Sequence, residues 1–341
     1  MNDARPPADP FEVDAVITWV DGNDPVHRAR REAVLGTAAG THAAANPTRF
    51  GDCGEVEYCV ASVLRFAPWV RTVWIVADRQ QPDFLARLAD TPLADRVRVV
   101  DHATIFAGHE HLLPTYSNRS IEAMLWRIPG LAPGFLYLND DFVLLRDVAW
   151  SDFFHAEGVV LRGRWRGGRL RAWAKSLQRA LRRPRGDDVA RPGNHEAQAL
   201  SARVAGWRHC FFQVPHAPHP VRARTCAEWY AAHPDQLERN ASYRLRSAEQ
   251  FLTVNLAHHL ELAAGHARVD NTLRTLRLNP ASGDGATLQR VLDAADADPR
   301  LAFACIQSLD KAAPEVRRLV FAWLDRRVGR VGSAPKPGLP G

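Results

Sequence analysis

The chain has no apolar run long enough to cross a bilayer. Its longest ones, such as Ala15 to Val20 and Val73 to Ala77, fall far short of the roughly 20 residues a spanning helix needs. The opening MNDARPPADPF carries acids and prolines and no apolar stretch, so it does not read as a secretory leader, and a cytoplasmic protein is expected. Cysteine is sparse and odd in number: Cys53, Cys59, Cys210, Cys226 and Cys305 are widely spread, with no CxxC pair to suggest zinc or a redox centre. Reduced, mostly buried thiols are expected. Also missing are G-x-S-x-G, a Walker A loop and a G-x-G-x-x-G after a strand, which removes nucleophile-elbow hydrolases, P-loop enzymes and dinucleotide folds of that type.

What is present is a globular composition, 341 residues with 46% hydrophobic and 24% charged, enough for one large core or a core with a substantial insertion. The net charge of +6 is unevenly spread. From Arg162 to Arg185 there are nine Arg and one Lys, and no acid before Asp187. Such a block is either a solvated face or a surface that docks a phosphate-rich or membrane-bound partner, here a peripheral membrane contact. Few aromatics are interleaved with it beyond Trp165 and Trp173, so no nucleic-acid platform is expected.

Four short β-rich runs, Ala15 to Val20, VRTVWIVAD (Val70 to Asp78), RVRVVDH (Arg96 to His102) and FLYLNDDFVLL, alternate with helical stretches such as Glu55 to Phe66 and Pro82 to Ala89. The alternation predicts an α/β fold, a mostly parallel sheet with flanking helices, plus a helical C-terminal part. The expected division is an α/β core over 1–155, a basic insertion or lid over 156–210, a helical part completing the site over 211–330, and a disordered Pro/Gly-rich tail over 331–341.

In such sheets ligands gather at the carboxyl ends of strands, and three of these four strands end in Asp. The pair Asp140-Asp141 stands between apolar runs. Adjacent carboxylates repel each other and lose solvation on burial, a burden that a divalent cation relieves. Oxygen ligands of this kind suit Mg²⁺ or Mn²⁺, which share their shell with a diphosphate; the alternative is a solvent-facing turn. The turn at Asp21, Gly22, Asn23 and Asp24 offers close backbone approach and acceptors for a ribose or base. Ser117 or Asn118 opens a helix carrying Arg119 and Glu122, either a phosphate-binding helix start or an ordinary capped helix. VPHAPHPVRAR brings His216, a candidate proton acceptor, and YRLRSAEQF brings Arg244 and Arg246, candidate phosphate forks.

Taken together, DAVITWVDGNDP, RFGDCGEVEYCVASVLRFAPWVRTVWIVAD and LPTYSNRSIEAMLWRIPGLAPGFLYLNDDFVLLRDVAWSDFF resemble the first two conserved regions of the Stealth family of sugar-phosphate transferases. PHAPHPVRARTCAEWYAAHPDQLERNASYRLRSAEQF resembles the third, which points to His216 and Arg246. The sequence departs from the family in Cys53 for Asn, in Ser117-Asn118 for Asn-Ser, and in CIQS (Cys305 to Ser308) for Cys-Ile-Asn-Asp, where Asp310 is the nearest substitute acid.

The resemblance implies a nucleotide-diphosphate-sugar transferase-like core and transfer of a hexose or N-acetylhexosamine 1-phosphate from a UDP-sugar to a hydroxyl of a glycan or lipid-linked glycan acceptor, with Mg²⁺ and release of UMP. The implied catalytic residues are His216, Arg246, Asp141 and Glu122. Metal falls to Asp140 and Asp141, and substrate to Trp19, Asp21, Gly22, Asp24, Asn118, Arg119 and Asn139. Two other readings remain: a metal-dependent glycosyltransferase that releases UDP, and a non-catalytic nucleotide-sugar- or glycan-binding protein.

Overall fold

A computed structural model describes residues 10–36, 50–167 and 193–332. Most of the basic block, from 168 to 185, therefore lies outside the described residues, as do much of the expected lid and the tail from 333 onward.

Strands β1 (Val13–Thr18), β2 (Val73–Ala77), β3 (Val97–Asp101) and β4 (Gly134–Asn139) run parallel, and His219–Arg222 adds an antiparallel edge beside β4. The order across the sheet is His219–Arg222, β4, β1, β2, β3. Their Val, Ile and aromatic content suits a pleat covered on both sides. Successive residues point to opposite faces. Accordingly Ala15, Ile17, Val73, Ile75, Leu136 and Leu138 enter one core with the helix Glu55–Phe66, while Val16, Trp74, Val76, Phe135 and Tyr137 enter the other with the helix Thr253–Ala263. The chain leaves β1 towards β2 and β3 and returns to β4 on the other side of β1. That reversal opens a crevice at the carboxyl ends of β1 and β4.

The remaining strands are β5 (Phe142–Leu144), β6 (Phe154–His155), β7 (Gly158–Leu161), β8 (Arg164–Gly167), β9 (Cys210–Gln213), β10 (His219–Arg222, the edge strand above), β11 (Ala267–Val269), β12 (Arg274–Leu278) and β13 (Leu301–Ile306). Residues 211–330, expected to be helical, thus also supply strands, and one of them completes the main sheet. His219–Arg222 contains proline and basic residues, and Leu301–Ile306 is rich in alanine, so neither shows the period-two alternation that marks a strand. β13 pairs antiparallel with β5 and parallel with β12. This clamps the far end of the chain onto the segment that follows β4.

At the opposite end of the sheet, Asp14 is fully buried. Its Oδ1 accepts from Arg71 Nε (3.0 Å) and the Thr72 amide (3.1 Å), and its Oδ2 from Arg71 Nη2 (2.8 Å), Trp74 Nε1 (2.9 Å) and the Ala132 amide (2.9 Å). One carboxylate thereby joins β1, β2 and the entry to β4. Removing it leaves an indole N–H and two amides without their acceptor, and leaves the Arg71 guanidinium only Glu12 and the Gly130 carbonyl. Asp14→Ala is expected to lower stability by about 3–5 kcal/mol, read as a reduced urea midpoint with an unchanged slope.

Candidate functional site

A cavity of about 260 Å³ lies at the carboxyl ends of β1, β2 and β4. Thr18, Trp19 and Val20 line it from β1, Val76 and Asp78 from β2, and Asn139, Asp140 and Asp141 from β4. The FLYLN run ends as a strand at Asn139 and resumes as β5 at Phe142, so the two aspartates occupy the turn between two buried strands. β13 holds that turn from below: the Ile306 amide donates to the Asp141 carbonyl (2.9 Å) and Cys305 Sγ to Asp141 Oδ2 (3.4 Å). Beyond β13 the chain enters the left-handed region at Ser308 (φ 56°), and Ser308, Leu309 and Asp310 join the wall.

The acidic end is crowded. Burial pushes Asp140 well above the usual carboxylate range, with Asp141, Glu55 and Asp52 adding repulsion. Burial raises Asp141 to about 6 and Glu55 to about 7. Asp141 Oδ1 is buried and has no hydrogen-bond partner among the described residues. Such groups ask for a positive charge. Among the described residues no three His, Cys, Asp or Glu side chains come together to hold an ion by themselves. Mg²⁺ does not require that, since it binds through one or two carboxylates and completes its octahedron with water and substrate phosphates. Asp140 and Asp141 fit this pattern.

Arg246 lines the cavity and donates through Nη2 to Asn118 Oδ1. Its placement depends on Gln250, which is fully buried. Gln250 Oε1 accepts from Ser117 Oγ (2.9 Å) and the Ser247 amide (2.9 Å), and Nε2 donates to Ser120 Oγ (2.9 Å) and the Asn240 carbonyl (2.8 Å). Two segments about 130 residues apart in sequence are thereby locked together.

Of the residues singled out in the sequence, the structure brings Trp19, Asn118, Asn139, Asp140, Asp141 and Arg246 to the cavity, with Asp310 beside them. Others lie elsewhere. Asp21 Oδ1 accepts from the Asn23 amide, and Asp24 caps the helix Pro25–Leu35 through the Val26 amide, both at 2.8 Å. Gly22 is needed for packing: a Cβ there would stand 2.2 Å from the Phe50 carbonyl oxygen. Arg119 is buried and spends its guanidinium on the carbonyls of Ser247 (2.7 Å), Gln250 (3.3 Å) and Gly193 (3.2 Å). The helix that carries it, Asn118–Glu122, has only five residues, too short to act as a phosphate-binding terminus. Glu122 is not a wall residue; it is buried, and its Oε1 accepts from the Val254 amide (2.8 Å). His216 is half-buried outside the wall, edge-on to Phe142 at 6.4 Å, with Nε2 3.4 Å from Asn194 Nδ2. Burial and then Arg277 lower its pKa.

Sequence reasoning missed Glu55, His27, His102 and Tyr116, all wall residues. Glu55 opens the helix Glu55–Phe66 and reads there as an ordinary acid complementing a helix dipole.

Two family profiles match the chain: Stealth protein CR1, conserved region 1, over residues 11–38, and Stealth protein CR2, conserved region 2, over residues 49–161. The chain carries the first two Stealth conserved regions. Among its relatives is an exopolysaccharide phosphotransferase of Streptomyces coelicolor, 44% identical over 46% of this chain and 26% of its own length. A Nocardia farcinica exopolysaccharide phosphotransferase is 29% identical over 90% of this chain and 56% of its own. A capsular polysaccharide phosphotransferase of Actinobacillus suis is 35% identical over 44% of this chain and 39% of its own. The chain spans roughly a quarter to just over half the length of these relatives. The two Stealth regions supply every wall residue except Arg246, Ile306, Ser308, Leu309 and Asp310.

Burial raises Glu122 from 4.5 to about 7. A carboxyl whose folded pKa lies above its unfolded one opposes folding once ionised. Its contribution is complete below about pH 4.5 and is lost as the pH rises through 7. Glu122→Gln keeps an acceptor for the Val254 amide and has no charge to lose. Its stability relative to the wild type is expected to improve by about 1–3 kcal/mol between pH 4.5 and pH 8, measured by thermal or urea unfolding at both pH values. A constant difference would refute the assignment.

Proposed function

We propose that the protein transfers a hexose or N-acetylhexosamine 1-phosphate from a UDP-sugar to a hydroxyl of a glycan acceptor, releasing UMP, in capsular or exopolysaccharide synthesis. One observation carries the reading. The two Stealth regions and the distant Arg246 meet on a single cavity whose acidic end bears desolvated, repelling carboxylates. The phosphotransferase names of the relatives support the reaction class.

In the reaction the acceptor oxygen bonds to the sugar-proximal phosphorus as the bond from that phosphorus to the bridging oxygen breaks. The bridging oxygen leaves with UMP. Such transfers depend on positioning and on charge placed against the equatorial oxygens. Arg246, oriented by Asn118 Oδ1, would donate to those oxygens. Asp140 and Asp141 would hold Mg²⁺ or Mn²⁺, which supplies positive charge against the diphosphate. Glu55, half-buried and pushed up to about 7 by desolvation, is the wall carboxylate suited to take the acceptor proton near neutral pH. His216 stands outside the wall and would act through the loop that packs on Phe142.

The purified chain, incubated with a panel of UDP-sugars, Mg²⁺ and a glycan acceptor, should yield UMP on chromatography. UDP as the product would instead indicate attack at the anomeric carbon. Asp141→Asn and Arg246→Ala are each expected to reduce kcat about 10²–10³-fold, with His216→Ala having a smaller effect. Full activity in both of the first two variants, if folded, would refute the site.

A further inference from the structure

The cavity has a second end with different chemistry. Where β1, β2 and β3 finish, its wall is formed by His27, Asp78, His102 and Tyr116, with Phe50 and Val76 beside them. His27, His102 and Tyr116 are 2%, 6% and 9% exposed. Each buries a polar atom, His27 Nδ1, His102 Nε2 and Tyr116 Oη, that finds no hydrogen-bond partner among the described residues. Three unpaired polar atoms in one corner are costly unless a ligand completes them. The corner is also built: the Tyr116 ring meets His27 edge-on at 5.7 Å, and Arg30 Nη1 holds Asp78 Oδ2 at 3.4 Å.

We propose that this corner is a base pocket selective for uracil, in which the imidazoles of His27 and His102 donate to the two carbonyl oxygens and Asp78 accepts from the ring N–H. The inference rests on the UDP-sugar reading above. Uracil presents two acceptors and one donor on its pairing edge, and two neutral imidazoles with one carboxylate are the complementary set. Cytosine replaces one acceptor and the donor with an amine donor and a bare ring nitrogen, and would meet an N–H with an N–H and a carboxylate with a lone pair. Burial keeps both imidazoles neutral, lowering His27 and taking His102 to about 4, so each has one N–H to give. Tyr116 Oη is left for a ribose hydroxyl.

The partition of the donor follows from the cavity's two ends. The diphosphate belongs with Arg246 and the Asp140–Asp141 turn. The transferred half must meet an acceptor, whereas the departing nucleoside can be enclosed, and His27, His102 and Tyr116 in this corner are buried side chains. The loop Asp21–Asp24, expected to hold the uridine, is occupied with its own turn and helix cap.

Binding of UMP and CMP to the full chain, without added metal, tests the pocket by titration calorimetry. The wild type should bind UMP at least tenfold more tightly than CMP, a ratio that needs no variant. His27→Leu and His102→Leu should each weaken UMP by roughly 10- to 100-fold and narrow the ratio. His27→Asn and His102→Gln, which return an N–H near the lost one, should recover most of it, with thermal melting confirming folded protein. Equal binding of the two nucleotides by the wild type, no binding of either, or unchanged UMP affinity in folded Leu variants would overturn the proposal. A chain that forms UDP rather than UMP but keeps the base ratio would lose the phosphotransfer reading while this one stands.

Discussion

The site is governed by the desolvation of the carboxylates at the end of β4. Asp140 and Asp141 emerge between two buried strands, and Glu55 and Asp52 stand close enough to repel Asp140. Charges so placed are unstable alone. Around them the fold supplies donors where it can. The Cys305 thiol reaches Asp141, the Cys53 amide donates to Glu55 Oε2 (2.7 Å), and Trp19 Nε1 donates to Asp52 Oδ2 (3.1 Å). These weak or neutral donors leave the carboxylates only partly compensated, and the proposed cation would bind against that remaining charge.

The carboxylate end needs the rest of the chain in a specific position. β13 brings the thiol and the Ile306 amide under Asp141. Gln250 and Arg119, both buried, bind the Ser117–Ser120 segment to the Asn240–Gln250 segment so that Arg246 meets Asn118. Arg119 is therefore better understood as a support for Arg246 than as a phosphate ligand. Its three carbonyl acceptors consume the donors that a phosphate would have used.

Much of this was legible in the chain itself. The strands β1 to β4, the helix Glu55–Phe66 and the ligand-gathering end of the sheet follow from alternation, β-branched content and strand-end aspartates. Asp140, Asp141 and Arg246 came to line the cavity. Asp21, Asp24 and Glu122 did not, because the acceptors that make an Asp or Glu attractive for a ligand serve equally well for a backbone amide two or three residues away or across a helix start.

The sequence by itself determined that two adjacent carboxylates stand between apolar strands, and it left open whether they bind a cation or face solvent in a turn. Only the tertiary structure decided which residues face them. Gln250 belongs to no local motif, yet its amide joins segments about 130 residues apart. His27 and His102 belong to different βα connections and meet because β1, β2 and β3 finish side by side. Contacts of this kind carry no local periodicity, since strand order and register create them rather than spacing along the chain.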